Sequence, residues 1–284
     1  MKTKLITPNG IRVWQGYRCQ QYQDDSDGFL EKLGQIFIPI TAQLMSPMGL
    51  RMYYPTIVSQ PSDCQTVKLP DEIALVGYSS QQTYHDASHA TVAGRAYSSL
   101  HQTVFNFTPS TTPASFSDFP IAYADVSQFE WKTPYYFSGE AIDWHSLYVG
   151  VLIWTWPDNV SEGKASEDCV SEDKASKDCA SEEHALDDPI QHAKDLLNVC
   201  HARIGSNNNL FEIITVLQQD YGVLWFASDA LRWPENIIQC LSDMKCHLVM
   251  QAFHDTTNIS PLFSEDDNGI VVSAGQALDV RLST

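Results

Sequence analysis

His85 and His89 are the two side chains whose spacing points most directly to chemistry. Residues four apart share one face of a helix, so two imidazoles in this arrangement can bind one metal ion or exchange a proton. His101 follows twelve residues after His89 and is rotated by roughly 120° on an ideal helix, which makes it a poor third ligand. The glutamate of an HExxH motif is absent. We therefore treat the pair as catalytic candidates and assign no metal site, with an ordinary helix surface as the alternative.

His145 and Tyr17 are the other catalytic candidates. His145 directly precedes the most apolar run of the chain, and Asp143, two residues before it, can raise the pKa of the imidazole or orient its ring. A haem-ligand role and an exposed loop position are the alternatives for this histidine. Tyr17 lies at the end of a predicted strand, where its hydroxyl can take part in proton transfer.

Aromatic side chains on predicted strands are candidates for the wall of a substrate cavity. Such residues can contact a ligand, but packing in the core is the common alternative. Arg12 and Arg18 lie on the same predicted strand and can face an anionic ligand or simply the solvent. The substrate-binding candidates are Trp14, Tyr53, Tyr78 and Trp154.

The first half of the chain reads as six elements in the order β-α-β-β-α-β. Alternation places Ile11 and Val13 on one face of the first strand and Arg12 and Trp14 on the other. Asp27 is the expected N-cap of the first helix, which Pro39 should kink or break. The predicted strands are 11–19, 50–58, 73–79 and 120–129, and the predicted helices are 29–45 and 81–105.

The second half repeats this order. The nearly continuous apolar strand 146–156 should be covered on both faces. It is followed by a helix over 189–204, a hairpin over 210–227 and a helix starting near Asp229 or Pro234. The segment 246–253 is a strand or the end of that helix, and a terminal hairpin at 270–282 completes the chain. We expect two domains, 1–130 and 131–284.

An acidic tandem repeat interrupts the second domain at 158–188. Eleven acidic and three basic residues lie in this segment, which repeats with a period of ten and has few apolar side chains. Such a composition cannot offset its own ordering entropy, so we interpret the segment as a loop insertion. Cys169 and Cys179 occur once per repeat, but no partner completes a metal site at a suitable spacing.

Composition excludes several classes of protein. The net charge of -18 disfavours nucleic acid or an anionic membrane as a partner. The chain has no apolar run of membrane-spanning length and no GxGxxG, GxxxxGK[ST], GxSxG or CxxC motif. Seven cysteines without disulfide-like spacing, behind an N-terminus without a signal peptide, predict a cytoplasmic protein with reduced thiols.

The doubled element order resembles that of the dimeric α+β barrel superfamily. The resemblance rests on the order of elements and on Pro47-Met48-Gly49-Leu50 at the entry to the second strand. The superfamily includes stress-responsive barrel proteins, small antibiotic-biosynthesis-type monooxygenases, EthD-like proteins and tandem chlorite dismutase-like haem proteins. The resemblance implies an α+β fold in which two tandem ferredoxin-like (βαββαβ) units form a barrel-type pair. It also implies a small-molecule cavity, which we expect between the two sheets.

Two functions follow as expectations. The first is a monooxygenase- or cyclase-like enzyme that acts on a small hydrophobic, oxygenated substrate by acid–base catalysis without a cofactor, and haem binding is a variant of it. The second is a non-enzymatic binding or assembly protein, with a homodimer left open. A cavity with a converging histidine or tyrosine favours the enzyme, and a filled sheet interface favours assembly, because a fold alone does not determine function.

Overall fold

The computed structural model describes residues 5–58, 67–157, 189–204, 210–230, 233–244 and 246–252. The predicted acidic insertion at 158–188 and the predicted terminal hairpin at 270–282 lie outside these ranges. Within the described ranges, no helix has the length and apolar character needed to cross a membrane.

The first unit contains a four-stranded sheet in the order β2-β3-β1-β4, and every neighbouring pair is antiparallel. The helices lie between the strands in the chain. The strands are β1 (Ile11–Gly16), β2 (Leu50–Ile57), β3 (Glu72–Tyr78) and β4 (Phe116–Asp118), and the helices are α1 (Ser26–Lys32), α2 (Ile38–Met45), α3 (Gln81–His85) and α4 (Val92–His101).

The second unit contains a six-stranded sheet in the order β10-β7-β9-β8-β6-β5. Its strands β7 to β10 follow the same relative order as β1 to β4 in the first sheet, and β5 and β6 extend one edge. The strands are β5 (Ile121–Ala122), β6 (Pro134–Tyr136), β7 (Tyr148–Thr155), β8 (Leu210–Leu217), β9 (Tyr221–Ser228) and β10 (His247–Ala252), and the helices are α5 (Pro189–Arg203) and α6 (Glu235–Asp243). The predicted α+β class is confirmed.

The first helical segment begins at a different N-cap residue from the predicted one, and it is interrupted near Pro39 as predicted. Asp25, not Asp27, is the N-cap, and its carboxylate accepts a hydrogen bond of 2.9 Å from the backbone N–H of Gly28. A π-helical turn at Leu33–Phe37 separates α1 from α2, directly before Pro39. Proline has no N–H for an intrahelical bond, and the backbone keeps helical angles at Phe37 and Ile38, so the interruption is local.

The prediction of a single helix over 81–105 is wrong, because the helical segment is interrupted at Thr91. This residue is extended (φ -97°, ψ 152°), and its hydroxyl accepts a hydrogen bond of 2.8 Å from the backbone N–H of Gly94 at the start of α4. A Cβ on Gly94 would overlap the carbonyl oxygen of Ala87. Close packing of the π-helical turn Asp86–Ala90 against α4 therefore requires glycine here.

The fourth strand predicted at 120–129 is also misplaced. β4 ends at Asp118, and the chain then leaves the first sheet, so that β5 pairs with β6 in the second. Pro120 stands at this transition and cannot donate to a strand ladder. The transfer from one sheet to the other therefore occurs at Phe119 and Pro120.

The two sheets pack face to face, with helices on both outer sides. The strand alternation expected for β1 and β7 holds, since each strand contributes side chains to the interface and to its own helix layer. The interface includes Ile11, Val13, Met52 and Leu75 from the first sheet and Val151, Ile153, Val223 and Trp225 from the second. We call the apolar layer between the first sheet and its helices the first helix layer, and its counterpart on the second sheet the second helix layer.

Candidate functional site

A cavity of about 270 Å³ lies in the first helix layer. It lies on the helix side of the first sheet rather than at the expected position between the two sheets, where buried branched and aromatic side chains of the described residues pack together. The sheet contributes Arg12, Trp14, Tyr53, Val76, Tyr78 and Ser117 to the wall of the cavity. The helices and their connections contribute Phe37, Thr41, Met45, Tyr84, Ser88, Tyr97, Ser98, His101, Gln102 and Phe107.

The register of the first sheet sets the floor of the cavity. Arg12 on β1 and Tyr53 on β2 both pair with Val76 on β3, so these three side chains form one row across the sheet. Trp14 and Tyr78 lie two residues further along their strands, on the same face. Strand alternation thus directs all five side chains toward the helices.

The opposite wall carries a short hydrogen-bonded chain. The hydroxyl of Thr41 donates to the carbonyl oxygen of Phe37 at 2.8 Å, and the hydroxyls of Thr41 and Tyr97 are 2.6 Å apart. Because Thr41 has one hydroxyl proton, which goes to Phe37, Tyr97 donates to Thr41. This bond fixes the phenol of Tyr97 between α2 and α4.

His101 lies one turn after Tyr97 on α4, and its Nδ1 is 3.0 Å from the carbonyl oxygen of Tyr97. A carbonyl oxygen only accepts, so Nδ1 carries the proton. Burial lowers the pKa of this histidine to about 4, an effect that the charge of Arg12 reinforces and the bond to Tyr97 opposes. At neutral pH the imidazole is uncharged, and Nε2 is a proton acceptor.

Arg12 places a cationic group in the same cavity. Its guanidinium stacks 3.9 Å from the ring centroid of Tyr84, and Nη2 donates to the carbonyl oxygen of Ser117 at 3.2 Å. Nε is buried and has no hydrogen-bond acceptor among the described residues. Burial lowers the pKa of Arg12 to about 10, and the group therefore stays charged at neutral pH.

Glu72 lies behind the wall of the cavity and is fully buried. Its carboxylate accepts hydrogen bonds from Nε1 of Trp14 at 3.0 Å and from the hydroxyl of Tyr53 at 3.1 Å. Burial raises the pKa of Glu72 to about 7, and the two bonds oppose this shift. The group thus holds two wall residues in place and titrates near neutrality.

The phenols of the cavity are hydrogen-bond donors at neutral pH. Burial raises the pKa of Tyr53, of Tyr78 and of Tyr97 above the ordinary range of a phenol. The cavity therefore combines one cation, one neutral imidazole and several protonated phenols with aromatic walls.

The predicted substrate-binding residues divide between two places. Trp14, Tyr53 and Tyr78 line the cavity. Trp154 lies in the core of the second helix layer and is 1% exposed.

The predicted catalytic residues lie outside the cavity wall. His85 and His89 are exposed, and their rings stack with centroids 5.8 Å apart and planes inclined by 22°. Nε2 of His145 donates to the carbonyl oxygen of Arg51 at 2.9 Å. The hydroxyl of Tyr17 is 2.9 Å from that of Tyr221, in a buried polar group that joins the two sheets. Among the described residues, no group of three histidines, cysteines or carboxylates can hold a metal ion.

The haem-ligand role considered for His145 from the sequence stays a prediction, and the structure restricts it at one ring nitrogen. Its Nε2 already donates a hydrogen bond to a backbone carbonyl, and a metal bond at this atom would require that contact to break.

Sequence reasoning missed Tyr97 and Thr41 and considered His101 only as a metal ligand. One signal was available for Tyr97 and His101, since residues four apart share a helix face. A second was the alternation of β1, which places Arg12 beside Trp14. The contact of Thr41 with Tyr97 spans two helices, and the sequence carries no local sign of it.

Comparison with known proteins adds little. No family model and no curated protein matches the chain. Two crystal structures align over most of it, each described as a "putative monooxygenase". One, from Lactobacillus acidophilus NCFM, has 6% identity and a TM-score of 0.34 and covers 85% of this chain and 91% of its own. The other, from Fusobacterium nucleatum subsp. nucleatum ATCC 25586, has 8% identity and a TM-score of 0.34. It covers 89% of this chain and 91% of its own. Similarity this weak carries no argument.

Proposed function

We propose that this protein binds a small hydrophobic, oxygenated molecule in the cavity of the first helix layer and acts on it as a monooxygenase- or cyclase-like enzyme. The observation that carries the proposal is the convergence of Arg12, Tyr97 and His101 on one aromatic cavity. Concave apolar sites with a few placed polar groups are the usual form of small-molecule sites.

The proposed fold is a tandem pair of ferredoxin-like units that form a barrel-type pair within one chain. The shared strand order of the two sheets and their face-to-face packing support it. The predicted boundary at residue 130 falls between β5 and β6, which share a sheet. We therefore place the boundary between the units at Phe119 and Pro120.

The proposed chemistry is acid–base catalysis by residues of the chain. Nε2 of His101 is unprotonated at neutral pH because burial lowers its pKa, and it accepts a hydrogen bond from a substrate hydroxyl. Tyr78 donates a hydrogen bond to a substrate oxygen atom, and the hydroxyl oxygen of Tyr97, whose proton is bound to Thr41, accepts a hydrogen bond from a substrate hydroxyl. Arg12 stabilises negative charge that develops on the substrate when its proton leaves. The proposal requires no cofactor.

The alternative of an assembly protein is less well supported. Such a protein would use the apolar sheet faces for self-association, and here these faces are buried against each other within one chain. A homodimer would therefore have to form through a different surface.

Binding of 2-naphthol to the purified protein, measured by calorimetry, tests the proposed site. We expect saturable binding to one site per chain, and we expect Val76→Phe to abolish it because the larger side chain occupies the cavity. Leu224→Phe, in the second helix layer, is the matched control and should retain binding. Equal binding by both variants would place the site elsewhere and contradict the proposal.

Oxygen uptake in the presence of dihydroxynaphthalenes tests the proposed reaction. His101→Gln keeps a polar side chain but removes the imidazole, and we expect the rate to fall by roughly 100-fold or more. His85→Gln, on the exposed surface, should leave the rate unchanged. A rate that is lost equally in both variants, or in neither, would remove His101 from the mechanism.

A further inference from the structure

Among the described residues that line the cavity of the first helix layer, Arg12 alone carries a formal charge at neutral pH, and this charge is positive. Arg12 remains protonated, His101 is neutral, and the tyrosines keep their protons. Glu72 is separated from the cavity by the two residues that donate to it, Trp14 and Tyr53. The interior is therefore electrostatically suited to an anion.

Arg12 forms no ion pair with any residue in the described part of the chain. Asp118 exerts an electrostatic influence on it, but it is exposed and does not pair with it. By contrast, Arg18 on the same strand contacts Asp71 at 2.7 Å. A partly buried cation without a counter-ion is costly, and a bound anion would remove much of that cost.

The guanidinium is also held in place. The ring of Tyr84 supports one of its faces, and the carbonyl oxygen of Ser117 fixes Nη2. Phe119 lies near it as well, with its ring centroid 5.3 Å away. A planar cation fixed in this manner presents its remaining N–H groups in a constant geometry, which suits the two oxygen atoms of a carboxylate.

We propose that the ligand of this cavity is an aromatic monocarboxylate, with its carboxylate bound to Arg12 and its ring held by the aromatic walls. This inference rests on the proposed function and specifies the substrate class for the same site. The ring packs against Trp14 and Phe107, which are themselves in contact (ring centroids 5.7 Å apart). Oxygen substituents on the ring then meet Tyr97 and His101.

The test compares 2-naphthoate with its neutral analogue 2-naphthamide by calorimetry at neutral pH. The two molecules have the same ring and nearly the same size, so their difference in affinity reports the charge. We expect 2-naphthoate to bind about 30-fold more tightly or better, because truncating a buried charge pair commonly costs at least that factor.

Arg12→Gln should remove this preference, leaving both probes bound with similar weak affinity. Arg95→Gln makes the same change of charge on the exposed surface of α4 and should preserve the preference. Arg12→Lys keeps the charge but not the planar donors, and we expect an intermediate preference. If Arg12→Gln does not fold, the comparison in the wild type and in Arg12→Lys remains decisive.

The outcomes separate the two proposals. If 2-naphthol and 2-naphthamide bind as tightly as 2-naphthoate, the site is a neutral pocket and the carboxylate proposal is overturned while the proposed function stands. If none of the three binds, both fail. A preference for 2-naphthoate that persists in Arg12→Gln would show that another group binds the anion and would also overturn the assignment.

Discussion

The two helix layers of this protein are built on sheets of the same strand order, yet they are filled differently. The first surrounds a cavity lined by Arg12, Thr41 and His101 among aromatic residues. The second is packed with apolar side chains from β7 to β9 and from α5 and α6, including Trp154 and Phe226. There, Gly222 provides the space for Trp154, because a Cβ at this position would overlap the indole ring.

This difference indicates that the two layers have different roles, one in stability and the other in ligand binding. Close packing of large side chains is a major source of stability, and a cavity forgoes part of it. Buried polar and charged groups in the first layer add a further cost. The second layer and the sheet interface provide stability, and the first layer can therefore carry groups suited to ligand binding.

The largest expected effect comes from opening the second layer. Trp154→Ala removes a fully buried indole and should lower the free energy of unfolding by about 3–5 kcal/mol. Phe107→Ala, in the wall of the cavity at 40% exposure, should cost less than about 1 kcal/mol. Chemical denaturation of both variants measures the difference. Equal losses would contradict the contrast between the layers.

The next prediction concerns Glu72 and the cost of polar groups in the first layer. Its folded pKa of about 7 lies above its ordinary value of 4.5, so the folded protein keeps a proton that the unfolded chain releases. The contribution of Glu72 to the free energy of unfolding therefore decreases as the pH rises from 4.5 to 7. Glu72→Gln should raise the free energy of unfolding at pH 8 by about 3 kcal/mol relative to the wild type.

Denaturation curves at pH 5 and pH 8 test this prediction. The stabilising effect of Glu72→Gln should be much smaller at pH 5 than at pH 8, because the wild-type carboxyl is protonated at the lower pH. A variant that is destabilised at pH 8 would mean that Glu72 is needed in its charged form.

His101 should show the opposite dependence on pH. Its folded pKa of about 4 lies below its ordinary value of 6.5, so the unfolded chain binds a proton that the folded protein excludes. Stability is therefore lost as the pH falls from 6.5 to 4. His101→Gln should reduce this acid loss by about 2 kcal/mol, somewhat less than the shift alone implies, because part of the ring surface is open to the cavity.

Thermal unfolding between pH 4 and pH 7 measures this effect, with His85→Gln as the exposed control. The control should follow the wild-type profile. An acid dependence that is unchanged in His101→Gln would place the relevant histidine elsewhere in the protein.

The last comparison concerns filling space, and its stabilising half is the smallest effect. Val76→Phe inserts a ring into the cavity and should stabilise the protein by about 0.5–1 kcal/mol. Leu224→Phe inserts a ring where space is already filled and should destabilise it by about 1–3 kcal/mol. Opposite signs in thermal denaturation are the expected result. A stabilising Leu224→Phe would show that the second layer has space of its own.

Local sequence signals predicted some of the site and missed the rest for a physical reason. Trp14, Tyr53 and Tyr78 were selected because they are aromatic residues on predicted strands. Trp154 has the same local pattern, but its face meets tightly packed helices. Nothing within the strands distinguishes these two surroundings, since the difference arises from the side chains that α2, α4, α5 and α6 bring to each sheet.

The sequence by itself determined the α+β class and the alternation of the strands, because hydrophobic periodicity and turn residues act over short distances along the chain. Only the tertiary structure decided that the sheet interface is filled, that the cavity lies on the helix side of the first sheet, and that Arg12, Tyr97 and His101 meet there. These outcomes depend on how the volumes of side chains from distant segments add up in three dimensions. Periodicity reveals which face of an element is buried, but it does not reveal how completely the opposing surfaces fill the space between them.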